Sequence, residues 1–414
     1  MMPKQRSNIV AVLDLGSSKV VCFIARMGTQ GRIEILGVGH HASHGIRAGI
    51  ITDIKATEKS IIYAVEAAEK LAGESIQKIY IGMTSNNLIS HRVPSEMVVT
   101  GHEINEKILN KLLFQVIDKY NDQEIEIIHS FPYDYMLDGN RGIESPLGMY
   151  GNKISCDFHI ISGQASTLLN IANCAARCQL EVEGYISSAY ASGISCLTAD
   201  EMDLGVTLIE FGGSCTSVSV FSRGNLIFTD GVPLGGINVT NDIARGLCTD
   251  FTNAERVKNL YGGVIVTPSD EREIVEVPLT DDDDSEMNVV PKTMLIEIIR
   301  ARVEEILEII QHKLDESGVS RQGGNKIVIT GGACQLSGMK ELVGHIFSKT
   351  VRVGYPIKLE GLGENSSGVS FATPVGMLVH LTETENSMDP FGLRSSNNDG
   401  LFKNLFRWLK QNFA

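Results

Sequence analysis

The chain has 414 residues, is 43% apolar and carries a formal charge of −14, so it can bury a sizeable core, and its length predicts two to four compact units. The acidic balance excludes a general nucleic-acid binder, whose affinity rests on Lys and Arg neutralising phosphates. The eight cysteines sit mostly singly in apolar segments without paired spacing for zinc; they read as small buried hydrophobes in a reducing cytosol.

At the N-terminus Lys4 and Arg6 precede an apolar run that Asp14 interrupts too early for an export segment, and nowhere does an apolar run approach the roughly twenty residues needed to span a bilayer. Residues 8–25 (NIVAVLDLGSSKVVCFIA) read as strand, carboxylate, Gly/Ser turn and second strand. Alternating strand and helix patterns at 32–39, 56–72 and 78–84 predict an α/β lobe. His40, His41 and His44 follow Gly37 and Gly39 in an expected loop, with no cysteine or clustered carboxylate to complete a metal site. From 85 to 163 the character changes to a compact α+β insertion, with a helix over 104–119 striped by Ile108, Leu112 and Val116 and short strands near 124–130 and 156–161. A helix over 168–180 carries Cys174 and Cys178 one turn apart, a spacing that reads as burial.

The pattern of residues 8–25 then recurs at 205–221 (GVTLIEFGGSCTSVSVF). Either copy alone is an ordinary β-turn motif, but two can face each other. Asp14 with Gly16, Ser17, Ser18 and Lys19 would form one wall of a cleft, and Glu210 with Gly212, Gly213 and Ser214 the other. Short Gly/Ser turns let backbone N–H groups approach phosphate oxygens, and the two carboxylates can hold a hydrated divalent cation between them. Gly235 and Gly236 precede a helix beginning at Asn238 or Thr240, whose N–H groups could face phosphate. A helix over 254–260 carries Glu255 and Lys258, which alone would read as a solvated i,i+3 pair. The run Asp281 to Asp284 lacks the Gly and terminal Glu of a calcium loop and reads as a solvated turn. A long helix from Pro291 to near Gly318 is striped by Met294, Ile298, Val303, Leu307 and Ile310, a core face. A third strand-then-glycine element, Gly331, Gly332 and Ala333 after residues 326–330, leads into a helical pattern over 338–349.

After the polar segment 382–399, residues 400–414 (GLFKNLFRWLKQNFA) form an amphipathic pattern. Phe402, Leu405, Phe406, Leu409 and Phe413 make one stripe, flanked by Leu401 and Trp408, with Lys403, Arg407 and Lys410 opposite and no acidic side chain. A helix of this length, roughly 22 Å, would lie in the interface of an anionic membrane and not cross it. Packing on the protein's own body is the ordinary alternative; the polar linker and purely basic charge favour the membrane.

In these motifs, their order and their spacing, the chain resembles the actin-like ATPase superfamily and, within it, the FtsA family of bacterial cell-division proteins; the resemblance covers essentially its whole length. It implies an α/β, actin-like two-lobed fold of duplicated ribonuclease-H-like lobes with an inserted α+β subdomain and a C-terminal amphipathic helix. The first lobe would comprise 1–84, 164–204 and 374–381, and the second 205–235 and 323–373. The subdomains would be 85–163 and 236–322, followed by the 382–399 linker and the 400–414 helix. Residues 187–192 and 373–376 would be the connecting helices that cross at the hinge.

The resemblance further implies ATP and Mg2+ as cofactors, with Glu255 and Lys258 reaching the ribose and adenine and 331–333 the adenosine. It also implies self-association into filaments, contact of 85–163 with later division proteins, and binding of the FtsZ C-terminal tail near Arg300 and Arg302. The protein would be peripheral, on the cytoplasmic face of the inner membrane at the division site. Glu210 departs from the Asp usual at that position; its carboxylate reaches about one methylene farther, so hydrolysis is expected to be slow or regulatory. The competing expectations are a sugar-kinase-like enzyme of the same superfamily, which has no use for the basic tail, and a pilus-assembly relative, which should lack it.

Overall fold

The computed structural model describes residues 8–28, 31–119, 124–279 and 287–386. The amphipathic 400–414 segment, most of the linker before it and the acid run 281–284 lie outside these residues.

The chain begins with an antiparallel meander, β1 (Asn8–Leu15), β2 (Lys19–Met27) and β3 (Ile33–Ala42). A small hairpin, β4 (Ile46–Arg47) and β5 (Ile50–Ile51), precedes α1 (Ile54–Ala72). Asp53 caps this helix by accepting from the Ala56 N–H, and Gly73 closes it at φ 69°. Strand β6 (Lys78–Met83) then returns parallel to β1.

The chain next leaves for a separate four-stranded unit made of β7 (Leu88–Val98), α2 (Glu106–Lys119), β8 (Ile125–Leu137), β9 (Asn140–Ile143) and β10 (Lys153–Gln164). Its sheet order is β7-β10-β8-β9, and α2 covers one face through Leu109, Leu112, Leu113 and Val116. The returning α3 (Ala165–Arg177) and β11 (Glu181–Ser187) complete a first five-stranded sheet, β11-β6-β1-β2-β3.

Both faces of that sheet are covered, and the period-2 alternation of β1 and β2 shows it. Leu13, Leu15, Cys22 and Ile24 pack in the cluster that contains α1 and α3, while Val12, Val21, Phe23 and Ala25 pack with Val375, Met377 and Leu378. The expected strand over 32–39 runs on to Ala42, so His40 and His41 belong to β3 and not to a loop.

Two helices, α4 (Ser188–Cys196) and α5 (Ala199–Leu204), lead to β12 (Val206–Phe211), β13 (Thr216–Ser222) and β14 (Asn225–Val232), a second antiparallel meander. Then come α6 (Gly236–Gly246), α7 (Phe251–Tyr261), the hairpin β15 (Ile274–Pro278) with β16 (Met287–Pro291), and the 26-residue α8 (Lys292–Ser317). Pro291 is the residue before the first turn of α8, and Gly318 ends the helix at φ 69°. Strand β17 (Lys326–Thr330), α9 (Met339–Phe347) and β18 (Thr350–Val353) complete the second sheet, β14-β13-β12-β17-β18. It repeats the first in order and strand direction, three antiparallel strands followed by two parallel additions. Helix α10 (Ala372–Asn386) then returns to the first sheet.

Of the expected stripe on α8, Val303, Leu307 and Ile310 are buried, but Met294 is 41% exposed. Leu295, Ile296 and Ile299 take the inward face instead, because the buried side of a helix this long does not keep to one fixed spacing. Among the described residues, no helix is long and apolar enough to cross a membrane.

Candidate functional site

The two meanders end in turns of the same construction. A β-carbon on Gly16 would lie 2.6 Å from the Lys19 carbonyl oxygen, and one on Gly212 would lie 2.7 Å from that of Cys215. Each turn therefore needs glycine at the same place, two residues after its carboxylate, Asp14 or Glu210. The turns also meet. A β-carbon on Gly213 would lie 2.9 Å from Ser18 Cβ and 3.1 Å from the Ser18 nitrogen, so Ser17 and Ser18 of the first turn and Gly213 and Ser214 of the second line one junction between the sheets.

Behind that junction Asp14 and Glu210 are surrounded by protein yet keep a partly accessible surface. Burial pushes the Asp14 carboxyl up to about 6 against the opposing pull of Lys19. Burial also raises Glu210 to about 7; Thr373, Ser192 and Ser217 pull it down by hydrogen bonding, and the nearby Asp14 charge pushes it up. Burial lowers Lys19 to about 8, with Asp14 opposing. Lys19 Nζ donates to Ser370 Oγ at 3.1 Å and lies 3.4 Å from the centre of the Phe371 ring. Both Glu210 oxygens are engaged: Oε1 accepts from Thr373 Oγ1 at 2.8 Å and Oε2 from Ser217 Oγ at 3.3 Å.

Those contacts lead to the crossing of α4 and α10. Ser192 Oγ and Thr373 Oγ1 lie 2.9 Å apart where α4 crosses α10. The crossing is close because a β-carbon on Gly376 would fall 1.7 Å from the Ala191 carbonyl oxygen. The extra methylene of Glu210 thus carries its carboxylate onto the helix crossing. Ser217, Ser370 and Phe371 escaped sequence reasoning because each reads locally as an ordinary strand or turn residue.

The remaining candidates gather on the second turn. The Gly236 N–H donates to the Gly212 oxygen at 3.0 Å, and the Ile237 N–H to the Gly213 oxygen at 2.7 Å. Asn238 Oδ1 accepts from the Gly235 N–H at 3.0 Å, in the first turn of α6. A β-carbon on Gly236 would lie 3.2 Å from Ala333 Cβ, which brings 331–333 to the same place. Gly331, at φ 86°, sits against the Phe211 backbone, and Gly332 opens the single helical turn Gly332–Gln335. Lys258 is buried and not solvated: Nζ donates to Thr240 Oγ1 at 2.8 Å, to Glu255 Oε2 at 2.6 Å and to the Gly236 oxygen at 3.2 Å. Lys258 is therefore not one half of a solvated i,i+3 pair.

Arg300 and Arg302 are placed differently from one another. Arg302 forks onto Asp242 of α6 at 2.5 and 3.1 Å and also pairs with Glu305, tying α8 to α6, whereas Arg300 is exposed and paired with Glu304 at 2.8 Å. Among the described residues no group of three or more His, Cys, Asp or Glu side chains converges for direct metal binding.

Two family models match, the cell division protein FtsA over residues 207–376 and the SHS2 domain inserted in FtsA over 85–162. The chain is 36% identical over its full length to the cell division protein FtsA of Agrobacterium fabrum, covering 96% of that relative, and 30% identical to that of Pseudomonas aeruginosa, each covered in full. The chain belongs to the FtsA family. Solved structures similar to it include the PilM–PilN type IV pilus biogenesis complex (TM-score 0.65, 13% identity, 90% of this chain and 98% of that one) and MreB5 of Spiroplasma citri bound to ADP (0.55, 11%, 92% and 99%). The fold of this FtsA-family chain is therefore actin-like, with an SHS2 insert at 85–162.

Proposed function

We propose that this chain binds ATP with Mg2+ between its two sheets, self-associates, and tethers the FtsZ ring to the cytoplasmic membrane while recruiting later division proteins. The observation that carries the nucleotide reading is the meeting of two similarly built glycine turns in front of two largely enclosed carboxylates, with Lys19 beside Asp14. The donor set fits a magnesium nucleotide: backbone N–H groups and the Ser17, Ser18 and Ser214 hydroxyls for phosphate, and Asp14 with Glu210 for a hydrated divalent cation. A bound cation would supply positive charge beside this pair, of which only Asp14 is drawn to Lys19. Because Thr373 and Ser217 already engage both Glu210 oxygens, Asp14 is the more available of the two for a metal-bound water, which supports slow or regulatory turnover.

Gly235, Gly236 and 331–333 would wall the adenosine, and the Glu255–Lys258 pair would stand at its ribose edge. In this reading the SHS2 insert meets later division proteins, and the α8 region, with Arg300 exposed, receives the acidic, partly apolar FtsZ tail. The 400–414 helix supplies a modest basic and apolar membrane anchor that a polymer multiplies. Titration with a fluorescent ATP analogue, with and without Mg2+, tests the core of the proposal. Tight Mg2+-dependent binding that weakens at least about tenfold in Lys19→Ala is expected, and the absence of binding by the parent chain would overturn it. Sedimentation with anionic vesicles of the full chain against a chain ending at Asp399 tests the anchor; equal pelleting would remove the membrane role.

A further inference from the structure

The short β4–β5 hairpin lies outside every motif assigned above, yet it touches both glycine turns. At its base the Ser43 N–H donates to the Ser18 oxygen of the first turn at 3.0 Å. At its tip the Ala48 N–H donates to Ser214 Oγ of the second turn at 2.8 Å. The tip residues Ala48 and Gly49 have φ of 48° and 77°, the pair of left-handed residues that a two-residue hairpin turn of this hand requires. A β-carbon disfavours that conformation at Ala48, so the contact with Ser214 is held against a local backbone preference.

The same tip grips the root of the insert. Asn87 Nδ2 donates to the Ala48 oxygen at 3.0 Å, and a β-carbon on Gly49 would lie 2.4 Å from that Asn87 nitrogen. A second, direct link runs beside it. Ser85 Oγ lies 3.2 Å from Thr229 Oγ1, and Gly231 packs against the Asn86 backbone. Residues 85–87 are therefore wedged between the hairpin tip and the second sheet, immediately before β7 of the insert begins.

We infer that the 45–52 hairpin is a clasp that transmits occupancy of the glycine turns to the SHS2 insert, through Ser214, Ala48 and Asn87. This rests on the nucleotide reading of the preceding subsection. A serine hydroxyl can accept from one group while donating to another. Ser214 can hold the Ala48 N–H and donate to a phosphate oxygen at the same time, and each bond polarises and strengthens the other. Phosphate in the turns thus tightens the clasp, and the tightened tip holds Asn87 and the start of β7 more firmly.

Backbone hydrogen exchange of the full chain, with and without Mg2+ and adenylyl imidodiphosphate, tests this, with binding of the same nucleotide measured in parallel. In the parent, nucleotide should slow exchange at both 46–51 and 85–98. Asn87→Ala should keep nucleotide binding and the slowing at 46–51 while cutting the slowing at 85–98 by about 2- to 30-fold. Asn87→Asp, which keeps the side-chain size but turns an acceptor toward the Ala48 oxygen, should do the same and serves if the alanine variant is unstable. The relay is overturned if nucleotide binds but 85–98 does not respond in the parent, or if both variants respond as the parent does. Failure of the parent to bind nucleotide would instead overturn the nucleotide reading, and the relay with it.

Discussion

The two insertions differ in how they are attached, and the difference separates a part that can be adjusted from one that cannot. The 85–162 insert has a core of its own, in which Val93, Leu109, Leu112, Val116, Phe158 and Ile160 pack among themselves. It meets the rest of the molecule at its root through Leu88 and Ile161, which join the apolar cluster of the first sheet, and otherwise through directional polar contacts. His159 reaches the Leu226 oxygen of β14 through Nδ1 at 2.9 Å, and Ser90 Oγ, held within the insert by His159 Nε2 at 2.7 Å, accepts from the Thr229 N–H of β14 at 3.4 Å. His129 Nε2 accepts from the Ser187 N–H at 3.0 Å, at the entrance to α4. The α6–α8 region instead shares one continuous apolar cluster with the second sheet, where Val239, Ile243, Leu295, Ile299 and Leu307 pack with Ile209, Val218, Ile327 and Ile329. Apolar burial is non-directional and cooperative, so the second insertion should melt with its sheet. Hydrogen bonds can be exchanged one at a time, so the first, which shares only Leu88 and Ile161 as buried members of a sheet's core, should loosen at lower cost than the second.

The largest effect expected from this contrast comes from paired core truncations. Leu307→Ala and Leu112→Ala remove fully buried side chains, and each should cost about 2–5 kcal/mol. The distribution of that cost is what matters. Leu307→Ala should lower hydrogen-exchange protection across β12 and β17 as well as α8, whereas Leu112→Ala should lower it within the insert and spare both five-stranded sheets. Equal loss of protection in the sheets for both variants would break the contrast.

The histidine attachment gives a second, somewhat smaller effect. Burial lowers His159 to about 4, with the Leu226 carbonyl opposing, and lowers His129 well below its ordinary value, reinforced by the charges of His380 and His159. A histidine held below its unfolded value stabilises the fold while neutral. That contribution is intact above about 6.5 and is lost as pH falls toward 4, up to about 3 kcal/mol for His159. Acidification from pH 7 to 5 should therefore loosen the insert first, seen as faster exchange at β7 and β10 before any change at β12. His159→Gln should flatten that pH response, and an unaltered response would show that the attachment does not rest on the neutral imidazole.

The repeated sheet was legible in the sequence because it is built from local pattern: alternating strands with a carboxylate and a glycine turn at matching offsets. Asp14, Gly16, Glu210 and Gly212 could be paired on paper, and the structure brings their turns into contact. The boundaries of α1, β6 and α8 were likewise close to expectation, and for α8 Pro291 and Gly318 mark them by their own chemistry. What the sequence hid is contact between distant segments of unremarkable composition. Nothing about Ser370 and Phe371 announces a lysine 351 positions earlier. Nor does Glu210 announce that its carboxylate turns to Thr373 at the helix crossing. The histidines misled for a similar reason: His40 and His41 suggested a loop cluster, while the ones with buried polar work, His129 and His159, are isolated within strands where a sequence offers no sign of a partner.

The smallest effect sharpens the same comparison, because it separates buried polar attachment from surface pairing. Arg223 of the second lobe approaches Asp134 of the insert at 3.4 Å, but the arginine is 67% exposed, and Arg141 of the insert shares that carboxylate at 3.6 Å. An ion pair with an exposed arginine contributes about 0–1 kcal/mol, and although Asp134 itself is only 15% exposed, Arg141 remains to neutralise it when Arg223 is removed. Arg223→Ala should therefore change stability by less than about 0.5 kcal/mol, with no change in the exchange of β7 or β10. A loss comparable to that of acidification would mean that surface charge, and not the buried imidazoles and hydroxyls, fixes the insert on the second sheet, and high salt would then loosen it to the same extent.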